Sequence, residues 1–105
     1  MEKFAWKGRI AEGKLDEYVR RHDEIWDEMK ETLDSAGIRN YTIWNTGNEV
    51  FGYYECEHGV EYAKKVQGES PVVARWNEYM KDILILEFDP ETNTVPPLKK
   101  VFSFN

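Results

Sequence analysis

Residues 4–10 alternate strictly. Phe4, Trp6, Gly8 and Ile10 share one face, and Ala5, Lys7 and Arg9 the other, which is the period-two pattern of a half-buried strand. After the turn Ala11-Glu12-Gly13 the period changes. From Lys14 to Ala36, Leu15, Tyr18, Val19, His22, Ile25, Trp26, Met29 and Leu33 recur at helical spacing, predicting one long amphipathic helix. Gly37 stands where a left-handed residue would end that helix. Alternation returns over Ile38–Asn45 and Glu49–Glu55 around Thr46-Gly47-Asn48, predicting an antiparallel hairpin. Val60–Gln67 reads as helix. Ser70-Pro71 then pairs an N-cap with proline at the first helical position, opening a helix that runs to about Ile83. Leu84–Phe88 is apolar but too short to assign to helix tail or extended arm. Asp89–Pro97, with three prolines, predicts a surface loop, and Leu98–Phe104 alternates as a last strand.

The predicted order is β-α-β-β-α-β, with the second helical region in two pieces. This is the α+β, ferredoxin-like arrangement with an antiparallel sheet, in a single domain spanning residues 1–105. Apolar and aromatic residues fall on both faces of the hairpin, with Trp44 opposed to Tyr41 and Ile43, and Tyr54 to Phe51 and Tyr53. A sheet apolar on both sides needs cover on both, and the chain has no spare helices. A second copy supplies the cover, so a homodimer of the dimeric α/β-barrel type is expected.

Composition narrows the function. The net charge of −6 argues against a nucleic-acid backbone or an anionic membrane as partner. The N-terminus carries no secretory hydrophobic segment, and the single Cys56 cannot form an internal disulfide; both suit the cytoplasm. Two His and one Cys, far apart in sequence, match no metal-ligand spacing, and there is no phosphate loop or nucleophile elbow.

Chemistry is therefore sought on the first helix. Tyr18, His22 and Trp26 stand at i, i+4 and i+8, within the apolar stripe. An inward imidazole tends to be neutral, able to accept a proton at one nitrogen while donating at the other. Such a group suits acid–base work near neutral pH, although hydrogen bonding within a core would also explain it. Trp76 and Tyr79 fit core or pocket, His58 reads as a solvated turn residue, and Arg20-Arg21 reads as a surface charge face.

The run Tyr18-Val19-Arg20-Arg21-His22-Asp23-Glu24-Ile25-Trp26 resembles the signature of the L-rhamnose mutarotase family. So do Gly37–Trp44, Val50–Glu55, Arg75–Met80 and Val101–Phe104, and the likeness spans nearly the whole chain. The resemblance implies a dimeric, cofactor-free isomerase that interconverts the α and β anomers of L-rhamnose. It places the acid–base group at His22 and a sugar-contacting phenol at Tyr18. Tyr41, Trp44, Trp76, Asn77 and Tyr79 complete the expected substrate-binding set, with a monosaccharide as partner and no metal. The second proton-transfer group is left open among Asp23, Tyr18 and a bound water. One departure stands out: family members often carry adjacent tryptophans where this chain has Trp76-Asn77, which bears on which deoxysugar is preferred. Two other functions fit the same fold. One is a cofactor-independent monooxygenase; the other is a non-catalytic dimeric binding module.

Overall fold

The computed structural model describes residues 1–86 and 95–104. Its elements are β1 (Glu2–Ile10), α1 (Leu15–Asp23), α2 (Asp27–Ser35), β2 (Ile38–Thr46), β3 (Glu49–Cys56), α3 (Val60–Glu69), α4 (Pro71–Met80) and β4 (Leu84–Ile85). The strands form one antiparallel sheet in the order β2-β3-β1-β4, the ferredoxin-like α+β arrangement. Ile10, Val50, Tyr54 and Cys56 on the inner face of the sheet are buried with Tyr18, Met29, Ala63, Trp76 and Met80 from the helices. The outer face presents Lys7, Trp44, Phe51 and Tyr53.

Local chemistry explains several boundaries. Gly37 has φ 77° and its N–H donates to the Asp34 carbonyl at 3.0 Å, closing the helix that precedes β2. Gly47, φ 57°, sits in the tight turn of the hairpin. Ser70 Oγ accepts from Val73 N–H at 3.2 Å with Pro71 behind it, so the predicted cap forms. In β2 the register against β3 shifts between Arg39 and Thr42, and Asn40 takes φ 52°. This bulge inserts one residue, so Ile38, Tyr41 and Ile43 all reach the inner face despite their mixed spacing. Asn40 Nδ2 donates to Glu55 Oε1 at 2.5 Å, pinning the bulge to β3.

Two predicted elements change. The long helix is interrupted at residues 24–26. Ile25 N–H turns back to the His22 carbonyl at 3.2 Å, and Trp26 is extended with φ −62° and ψ 142°. Neither proline nor glycine causes this, so tertiary packing overrides helical propensity. The break sets the Trp26 ring edge-on to Trp76 at 5.2 Å, and Asp27 and Glu28 then open α2 at its positive end. The predicted strand Leu98–Phe104 does not form; β4 comes instead from Leu84–Ile85, pairing with Arg9 and Ile10. Leu98 N–H reaches the Ala5 carbonyl at 2.7 Å, but Val101, Phe102 and Phe104 are 86%, 77% and 88% exposed. A strand pattern needs a ladder partner, and among the described residues no strand of the sheet forms a ladder with this segment. Residues 87–94, which hold most of the predicted Asp89–Pro97 loop, lie outside the described residues.

Candidate active site

Between the inner face of the sheet and the helices lies a cavity of about 640 Å³, within the range of small-molecule sites. Tyr18 and His22 from α1, Tyr41 from β2, and Trp76 and Asn77 from α4 all line it. Five of the seven residues expected from the sequence thus share one wall system. Among the described residues no carboxylate lines the cavity, and no cluster of three His, Cys, Asp or Glu could hold a metal ion.

His22 is half-buried, its ring 4.3 Å from that of Tyr18 and meeting Trp76 edge-on at 5.4 Å. Its Nδ1 lies 3.0 Å from the Tyr18 carbonyl oxygen. A carbonyl can only accept, so the proton is assigned to Nδ1 and the basic lone pair of the neutral ring to Nε2. Burial holds the imidazole below its ordinary pKa, opposed by the Tyr18 carbonyl bond and the Asp23 charge. The side chain is therefore neutral and ready to take a proton at pH 7.

Tyr18 is 4% exposed and its hydroxyl has no hydrogen-bond partner among the described residues. Burial pushes its phenol well up, as it does that of Tyr41. About a third of the Tyr41 surface is open, yet its hydroxyl is directed inward and accepts from Trp6 Nε1 at 3.1 Å.

Trp44 and Tyr79 are not brought to the cavity. Trp44 lies on the outer face of the sheet, across from Phe51, and is 69% exposed. It neighbours Ile43, whose side chain faces inward, so strand alternation alone turns it away. Tyr79 stands behind Trp76, with ring centroids 5.7 Å apart, and its ring lies tilted against that of Trp26 at 5.5 Å. Arg21 corrects a further expectation. It is no surface charge: its side chain is 11% exposed, its guanidinium lies 4.4 Å over the Tyr79 ring, and Nη1 donates to the Tyr79 carbonyl at 2.7 Å and to Asp82 Oδ1 at 2.9 Å. This contact ties α1 to the end of α4, and so holds His22 against Trp76. Asp23, one of the groups considered for proton transfer, is exposed and lies outside the cavity lining.

Trp6, Tyr54 and Gln67 also line the cavity and were missing from the expected set. For Trp6 the signal was present, since alternation in β1 puts it beside Phe4 on the inner face.

A family model described as L-rhamnose mutarotase matches residues 3–104. The chain is 36% identical to the L-rhamnose mutarotase of Lachnoclostridium phytofermentans over 105 residues, covering 97% of each. The crystal structure of an L-rhamnose mutarotase from Formosa agariphila aligns over the whole of both chains, with 27% identity and a TM-score of 0.79. Tetracenomycin F2 cyclase from Streptomyces glaucescens aligns with a TM-score of 0.74 at 11% identity, a likeness of fold alone. From β1 to its closing residues, the chain belongs to the L-rhamnose mutarotase family of isomerases.

Proposed function

We propose that the cavity binds L-rhamnose and interconverts its α and β anomers, with His22 Nε2 as the proton-transfer atom. The observation that carries this reading is the hydrogen bond from His22 Nδ1 to the Tyr18 carbonyl, which fixes the tautomer in a cavity-lining imidazole. Nε2 takes the proton from the anomeric hydroxyl. The C1–O5 bond breaks as the C1 carbonyl forms, and O5 gains a proton. Rotation about C1–C2 presents the other face of the carbonyl, and the reverse steps close the ring. The reaction already proceeds in water, so positioning and acid–base assistance suffice. The unpartnered Tyr18 hydroxyl would bond a sugar oxygen, and the buried Trp76 indole offers an apolar surface to the sugar's methyl side. With Asp23 outside the cavity, a cavity-lining phenol such as Tyr18, or a bound water, remains for the second proton.

The test is anomer exchange in L-rhamnose, followed by NMR saturation transfer between the anomeric protons. Wild type should accelerate the transfer and His22→Gln should abolish the acceleration. An inactive wild type sinks the reading, and a fully active His22→Gln leaves the imidazole a core residue.

The working form would be a homodimer in the cytoplasm, with the outer sheet face and the exposed 98–104 segment as its contact surfaces. The support is physical: Trp44, Val101, Phe102 and Phe104 expose large apolar area that a second copy would cover. Light scattering on the full chain, and on a chain ending at Pro97, should give a dimer and a monomer respectively. A full chain that stays monomeric at tens of micromolar removes this assignment. No helix among the described residues is long and apolar enough to cross a membrane.

A further inference from the structure

We propose that Trp6 is a positioning residue: its indole N–H commits the Tyr41 hydroxyl to donate into the cavity, toward an oxygen that can only accept. The inference rests on the sugar-isomerising reading above and adds to it a residue and an atom of the substrate.

The geometry begins on the floor of the sheet. Trp6 stands directly across from Gly52 in the β1–β3 register, and its indole occupies the space a side chain at that glycine would fill. A methyl group at Gly52 would overlap the indole at Nε1 and Cε2, and one at Gly8 would come within 3.3 Å of its Cζ3. Two glycines, one on each strand, thus make the seat in which the ring lies. So seated, Nε1 reaches the Tyr41 oxygen at 3.1 Å. Tyr41 meets it from β2 because the bulge at Asn40 turns the phenol inward, beside Tyr54 at 5.0 Å.

An indole N–H only donates, whereas a phenol can donate or accept. Once Tyr41 accepts from Trp6, its own O–H is left to donate, and the Trp6 bond makes that O–H more acidic. The Tyr18 hydroxyl, unpartnered and close enough to act electrostatically on Tyr41, borders the same space. In an aldopyranose every hydroxyl oxygen can donate or accept, but the ring oxygen only accepts. It is also the atom that must gain a proton when the ring opens. With one lone pair taken by Trp6, the Tyr41 O–H is placed to donate to O5, and that bond strengthens as charge develops there.

The experiment measures kcat and KM for L-rhamnose anomer exchange in wild type, Trp6→Phe, Tyr41→Phe and the double variant. Trp6→Phe keeps an aromatic ring at the glycine seat and removes the donor together with part of the indole's bulk. It should lower kcat about five- to ten-fold with KM within about two-fold of wild type, and the double variant should match Tyr41→Phe alone. An unchanged kcat in Trp6→Phe overturns the inference, and so does a double variant whose loss is the product of the two single losses. A second readout does not need activity. In ¹⁵N-labelled protein the Trp6 indole N–H resonance should shift upfield and exchange faster in Tyr41→Phe. No change there overturns the hydrogen bond itself, while an inactive wild type with that shift present fails the sugar reading alone.

Discussion

Replacing Tyr18 by Phe deletes one buried hydroxyl and keeps the ring. Among the described residues that hydroxyl has no hydrogen-bond partner, its residue is 4% exposed, and burial drives its phenol pKa up, the mark of a desolvated group. An unmatched buried polar group costs about 1–3 kcal/mol. The small void left by one oxygen returns part of this, so Tyr18→Phe should stabilise the free protein by about 1 kcal/mol. For a domain near 100 residues that corresponds to a rise in Tm of about 4–8 °C. Sugar should reverse the order of benefit. If the hydroxyl bonds the sugar, the variant binds about ten-fold more weakly, and saturating L-rhamnose stabilises it by about 1.4 kcal/mol less than wild type. Calorimetry at fixed protein concentration, with and without L-rhamnose, reads both numbers, and anomer exchange reads the loss of rate. A variant that melts more than about 2 °C below wild type without sugar, and exchanges anomers at the wild-type rate, refutes the reasoning. The hydroxyl would then be satisfied in the free protein and idle in the reaction.

The same geometry sets the pH dependence of rate and stability and the effect of two substitutions. The rate should fall as pH drops below the ordinary histidine range, with a single acid limb at a pKa under 6.5 that disappears in His22→Gln. Because the folded state lowers this pKa, the unfolded chain binds the extra proton first. Wild-type stability should therefore be full above pH 6.5 and decline as pH falls through the folded value, a trend that urea titrations would miss only if His22 were solvated. Gly52→Ala should cost about 1–3 kcal/mol by displacing the Trp6 indole, and Trp6→Leu in the same chain should recover most of it; additive losses in a denaturant cycle would contradict the glycine seat. Asn77→Trp should favour L-rhamnose over its 6-hydroxy analogue L-mannose by several-fold in kcat/KM, since an indole replaces a polar amide on the cavity wall; an unchanged ratio would place residue 77 away from the sugar methyl.

What the sequence revealed follows the range of the forces involved. The hairpin, the stop at Gly37 and the start at Ser70-Pro71 depend on neighbours within a few residues, and all three are readable from local chemistry. The Tyr18–His22 pair was legible for the same reason, since one helical turn separates the two. The break at residues 24–26 was not, because its cause is Trp76 and Tyr79, some fifty residues away. Arg21 looked like a surface charge because its carboxylate partner, Asp82, lies 61 residues along the chain. Trp44 was chosen for its chemistry although alternation set it opposite Ile43, and Trp6 was passed over although alternation placed it inward. The alternating pattern of Leu98–Phe104 is genuine, but a pattern names a strand and not the edge it needs.

The Arg21–Asp82 tie also bears on how the chain folds. The β2–β3 hairpin closes through a turn of a few residues, whereas the tie, like the contact of His22 with Trp76, joins the two ends of most of the chain. Loop-closure entropy delays such distant contacts, so the hairpin should be ordered in the folding transition state while the cavity wall of His22 and Trp76 is still open. Substitutions in that wall would then leave the folding rate nearly constant and act on unfolding. The protein is thereby free to vary its cavity-lining residues at the expense of native-state lifetime alone, without slowing its own maturation.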